Sequence, residues 1–147
     1  MNQKTVKKTG TLLWVHEDML DPKHPIYHEP HDQAIGIFDT HHMQNAGYSL
    51  KRSVFIYECF CACPIELYEG ESFTVISEIL STNSFHTLLT APSPSPTIQK
   101  TLDQLQELIE INLIAEQAFA GNPKAILTPR FMKYWWQVRR NVLEEPK

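Results

Sequence analysis

Two kinds of hydrophobic spacing alternate along the chain. Thr11 to His16 (TLLWVH) is a short, nearly unbroken apolar run, and Ala34 to Phe38 (AIGIF) is a second, ending at Asp39. Runs of this length, rich in branched and aromatic residues, predict buried strands. From Tyr48 to Ala62 the period changes: Leu50, Val54, Tyr57 and Cys61 recur at intervals of four, three and four, which predicts a helix face, and Pro64 ends it. Ile65 to Tyr68 alternates as a third strand, and Gly70 turns the chain. Ser72 is placed to cap a helix striped by Phe73, Ile76, Ile79 and Leu80 that closes near Asn83. His86 to Thr90 predicts a fourth strand. Ser95 and Pro96 form an N-cap and first-turn pair before a helix marked by Ile98, Leu102 and Leu105. Glu110 to Ile114 predicts a fifth strand. A last helix over residues 129–143 carries Phe131, Trp135, Val138 and Val142 at helical spacing.

Strands alternating with helices imply a parallel sheet covered on both faces. The expectation is an α/β, Rossmann-like, doubly wound sheet of five parallel strands in the order 3-2-1-4-5, because a chain that reverses its winding after the third strand produces that order. A single domain is expected over residues 1–147, with residues 1–10 a flexible N-terminus and residues 129–143 a C-terminal helix. Residues 17 to 33 break the pattern. They hold Pro22, Pro25 and Pro30 with His24, His28 and His31 and have no period. So long a loop in a compact domain is usually functional or partly disordered, and this one follows the first strand, beside the ligand crevice of open α/β sheets.

Composition narrows the function classes. The formal net charge of −4 argues against binding nucleic acid through the whole surface, since phosphate contacts need clustered Lys and Arg. No apolar stretch approaches the roughly 20 residues of a membrane span, and the run after the basic N-terminus is too short for a signal peptide, so a cytoplasmic protein is expected. Cys59, Cys61 and Cys63 crowd into five residues, a poor disulfide framework, and are expected as small buried apolar residues.

Glycine-rich phosphate loops of the dinucleotide or Walker type are absent, and there are only five glycines. Six of the seven histidines fall in two loops at adjacent strand ends: His16, His24, His28, His31, His41 and His42. His24, His28 and His31 with Asp32 or Asp39 are of the right types for a metal, but a solvated polar loop is the expectation and no metal site is assigned. The candidate ligand-binding residues are His16, Glu17, Asp18, Asp39, His41 and His42, at the ends of the first two strands. Carboxylates there would bind a ribose or a heterocycle N–H, or else cap helices. Trp135 and Trp136, adjacent on a helix, point about 100° apart, so one can be exposed. Lys133, Trp136, Arg139 and Arg140 are therefore the candidate partner-binding residues, for a second copy or a helical partner protein.

Several segments, in order along the chain, resemble one family. Leu12 to Pro25 (LLWVHEDMLDPKHP) is similar to the first strand and loop of DNA photolyases and cryptochromes. Trp14 and Asp18 match that motif, and His16 and Glu17 stand where it has two arginines. AIGIFD, ending at Asp39, resembles the family's second strand. Leu67 to Leu80 resembles its third strand, turn and helix, and Thr128 to Val138 the segment that leaves the α/β domain. The resemblance implies a stand-alone copy of the family's N-terminal α/β domain, which carries an antenna chromophore: a deazaflavin, a folate or a flavin. The catalytic FAD belongs to a helical domain outside this resemblance, so no catalytic FAD and no repair of DNA by the chain alone are expected. The alternative is an interaction protein without a ligand that associates through its last helix.

Overall fold

The computed structural model describes residues 10–115 and 131–143; in the second segment the side chains at 138 and 140–143 are not described. The described residues divide into two compact units between Ile114 and Ala115. The first is the α/β unit. Its strands are β1 (Thr11–Val15), β2 (Gln33–Phe38), β3 (Glu66–Glu69), β4 (Thr87–Thr90) and β5 (Glu110–Leu113). All neighbours pair in parallel, in the order β3-β2-β1-β4-β5. This is the doubly wound Rossmann-like sheet expected from the alternation of periods. The helices of this unit are α1 (Thr40–Asn45), α2 (Leu50–Ala62), α3 (Ser72–Thr82) and α4 (Pro96–Leu105).

β1 is central and buried on both sides, which is why its sequence is continuously apolar rather than alternating. Leu12 and Trp14 point into one core with Ile35, Ile37 and Leu88, roofed by Ile76 and Ile79 of α3 and Ile98, Leu102 and Leu105 of α4. Leu13 and Val15 point into the other, with Leu89, Met43 of α1, and Ile56 and Phe60 of α2.

The second face departs from expectation in two ways. The segment between β1 and β2 is ordered and contains two short 3-10 helices, Glu17–Met19 and Pro25–His28. Met19 and Ile26 from it are buried in the core, so the segment does the covering work of the crossover helix that it lacks. Apolar burial, rather than hydrogen-bonded periodicity, orders it. Second, α2 does not bury the stripe picked out by its 4-3-4 spacing. Leu50 is 80%, Val54 46% and Tyr57 48% exposed, and Cys61 is exposed too. The buried side is Ile56 and Phe60, about 120° or more around the helix from Val54. Gly36 explains the choice. A Cβ on Gly36 would lie 2.9 Å from Phe60 Cδ1 and would collide with Ile65 Cδ1, so the missing side chain is the seat of the Phe60 ring.

Smaller corrections concern caps and thiols. Glu71, not Ser72, caps α3, accepting from the backbone N–H groups of Phe73 and Thr74. Ser95 occupies the N-cap of α4, but its side chain makes no cap bond. Of the cysteines, Cys63 is buried, Cys59 half-buried and Cys61 exposed. The second unit contains α5 (Phe131–Leu143). Of the flexible N-terminus expected at residues 1–10, Gly10 is instead buried and fixed, its N–H donating to the Asp32 carboxylate and its carbonyl accepting from the N–H groups of His86 and Thr87, while residues 1–9 and the start of the last helix at 129–130 lie outside the described residues. No helix among the described residues is long and apolar enough to cross a membrane.

Candidate functional site

The chain winds one way through β1, β2 and β3 and the other way through β4 and β5, so helices diverge beyond the carboxyl ends of β1 and β4. A crevice of about 440 Å³ opens beside this point, past the ends of β2 and β3 and against α4. Its floor is Asp39 and His42. One wall is His41 and Asn45 of α1, another is Glu71, and the third is Thr97, Lys100 and Gln104 of α4.

Asp39 holds this mouth together. One carboxylate oxygen accepts from the His42 N–H at 2.8 Å, capping α1. The other accepts from both the N–H and the hydroxyl of Ser72, each at 3.0 Å, pinning the start of α3. The residue is 8% exposed. Capping, one of its two anticipated roles, is therefore present.

His16 lies beneath the crevice, 3% exposed. Its Nε2–H donates to the Ala91 carbonyl at 2.8 Å, and its Nδ1 accepts from the Asp18 N–H at 3.3 Å, which together describe the neutral ring. Burial pushes its pKa below 6.5, the hydrogen bond to Ala91 opposing. Glu17 accepts from the Tyr48 hydroxyl at 2.6 Å and lies 3.3 Å from His42 Nε2. Burial, reinforced by that bond to Glu17, pushes the Tyr48 phenol up to about 12. Between His16, Glu17, Asp39, His42 and Ser72 and the apolar side chains of Trp14, Ile37, Met43, Phe60 and Ile98 is a small void of about 30 Å³. Asp18 faces away from the crevice, on a groove that it shares with Asp21, Arg52 and Phe55, and accepts from the Ser93 hydroxyl. Ser93 in turn accepts from the Ser95 N–H at 3.0 Å, and Gln99 donates to its carbonyl at 2.9 Å. This brace ties the β1 loop to the first turn of α4.

Of the six residues singled out in the sequence, the structure thus brings Asp39, His41 and His42 to the crevice, sets His16 and Glu17 under it, and turns Asp18 aside. His41 and His42 sit on α1, not in a loop, because Asp39 nucleates that short helix. The sequence reading missed Asn45, Glu71, Thr97, Lys100 and Gln104. The switch-point rule itself could have found the last three, since it sets the helix after β4 against the end of β2.

The other histidines are dispersed. His24 is 1% exposed and accepts from the Ile26 N–H, while His31 bonds the Glu29 carbonyl. Among the described residues no group of three or more His, Cys, Asp or Glu side chains is placed to hold a metal ion.

On α5, Trp136 is 57% exposed with the Arg139 guanidinium 3.8 Å above its ring, and Trp135 is half-buried and stacks on Phe131. Lys133 is exposed; the Arg140 side chain lies outside the described residues. No family model, curated protein or solved structure matches the chain.

Proposed function

We propose that this chain is a photolyase-like α/β binding module, non-catalytic by itself, that holds a small anionic heteroaromatic ligand, a chromophore or nucleotide-like molecule, in the crevice between α1, Glu71 and α4. One observation carries this reading: the first turn of α4, whose N-cap side chain makes no cap bond, lines that crevice together with Lys100. The N–H groups of Thr97 and Ile98 at this helix start (Pro96 has none and that of Ser95 donates to Ser93) and the nearby Lys100 ammonium favour a phosphate or carboxylate. His41 and His42 across the crevice are suited to a ring. The volume of about 440 Å³ is within the range of small-ligand sites. A binding rather than catalytic role is supported by the hydroxyls of Ser72 and Ser93, which donate to carboxylates and not to a histidine base.

Flavins make the test specific. FMN should bind more tightly than riboflavin, which lacks the phosphate, by at least about tenfold, or ~1.4 kcal/mol. Lys100→Ala should remove most of that difference. A deazaflavin and a folate complete the set of probes. If none of the four binds below millimolar concentration, the reading fails. The alternative, a ligand-free protein that docks through α5, is favoured by the exposure of Phe131, Met132 and Trp136. It expects Trp136→Ala to abolish association and no flavin to bind.

A further inference from the structure

We infer that α2 is the self-association surface of this protein, pairing antiparallel with α2 of a second copy about a two-fold axis near residues 55 and 56. The outward residues Leu50, Val54, Tyr57 and Cys61 are spaced four, three and four apart, the d-a-d-a seam of a coiled coil, and every one of them is exposed. Beside the seam, between α1 and α2, runs an apolar groove of about 440 Å³ that Phe38, Met43 and Tyr48 line together with Leu50, Val54 and Tyr57. Isolated exposed apolar residues are ordinary, but a seam continuous with a groove needs a cover.

The charges identify the cover as a second copy. Lys51 and Glu58 lie seven residues apart on one edge of the seam, both exposed, with no ion-pair partner among the described residues. Between residues 10 and 114 the only Lys and Arg side chains are Lys23, Lys51, Arg52 and Lys100. Two-fold antiparallel pairing keeps like edges together. It therefore sets Lys51 against Glu58 of the second copy, and the reverse, while Val54 meets Tyr57 and Leu50 meets Cys61. A parallel pairing would set Lys51 and Glu58, both at e positions, against the opposite edge of the partner at Ala46 and Ser53, and give neither charge a counter-charge. The self-complementary pattern thus selects both the occupant and its direction.

The full-length chain tests this by sedimentation velocity over a concentration series. The expected result is a dimer, made monomeric by Val54→Glu with an unchanged circular dichroism spectrum. Lys51→Glu and Glu58→Lys alone should each weaken it about tenfold, because each loses two symmetric pairs and gains repulsion. The double variant Lys51→Glu/Glu58→Lys should restore it. Under oxidised glutathione, Leu50→Cys should give a covalent dimer that Cys61→Ser abolishes, since only antiparallel register brings those positions within disulfide reach. A monomer at all concentrations overturns the inference. So does a dimer that ignores the charge reversals, or one that depends on Trp136 instead. FMN binding is a separate measurement at a separate surface, so either conclusion can fail alone.

Discussion

On one face of the sheet, Ile98, Leu102 and Leu105 of α4 are buried as their spacing foretells, with α3 beside them. On the other face, α2 carries an equally regular stripe, and that stripe points outward while Ile56 and Phe60 hold the helix down. The same strands, β1 above all, supply both cores. The difference lies in what each helix has to meet. α4 has a single apolar side, so period and burial coincide. α2 has two, and the sheet selects between them by shape, because Gly36 leaves a seat that an aromatic ring fills. Periodicity locates a helix and its stripes; complementarity decides which stripe is the core.

Replacing core residues gives the largest expected effects. Phe60→Ala should destabilise the protein by about 3–5 kcal/mol and Leu105→Ala by about 2–5 kcal/mol in urea denaturation, marking both as anchors of their faces. Ile26→Ala should also cost about 2–5 kcal/mol if the β1–β2 segment is a true roof of the second face; a loss under 1 kcal/mol would show that it merely lies over the core. Next, Gly36→Ala should cost about 1–3 kcal/mol by displacing Phe60 and Ile65, and Phe60→Leu should relieve part of that loss in a double-mutant cycle.

The carboxyl end of β1, beneath the crevice, should also be acid-sensitive. The folded-state pKa of His16 lies below 6.5, so the unfolded chain takes up a proton there before the native one does. The stability due to its neutral form is complete above pH 6.5 and is lost as the pH falls below it. Denaturation midpoints measured from pH 7.5 to 5 should drop for the wild type and drop less for His16→Gln. The smallest effect belongs to the outward stripe. Leu50→Ala should change stability by no more than about 0.5 kcal/mol at protein concentrations too low for association. A loss at Leu50 equal to that at Leu105 would erase the contrast between the faces.

The fold was legible because winding rules turn a sequence of periods into a strand order almost mechanically. β1 and β2 announce themselves as TLLWV and QAIGIF, and Gly70 and Asn83 mark real boundaries. Side-chain direction was less legible. Nothing local in Leu50, Val54 and Tyr57 distinguishes a seam from a core, and the deciding residue, Gly36, is on another element. The crevice was half legible. Asp39, His41 and His42 follow directly from the end of β2, whereas Lys100 and Glu71 reach the same mouth only through the crossing of the chain from β3 to β4. Asp18 lies at the same strand end in sequence but is drawn aside by Ser93, a partner 75 residues away.

The central position of β1 has a consequence for synthesis. β1 ends at Val15, yet one of its two neighbours, β4, begins only at Thr87. At roughly 5–20 residues per second a ribosome needs about 4–15 s to make the intervening chain. Throughout that interval one edge of the segment TLLWV has no strand to pair with, and unpaired apolar edges are the usual entry to aggregation. This edge is therefore exposed before the chain reaches β4, and a chaperone that shelters the first strand until β4 emerges should raise the yield of folded protein.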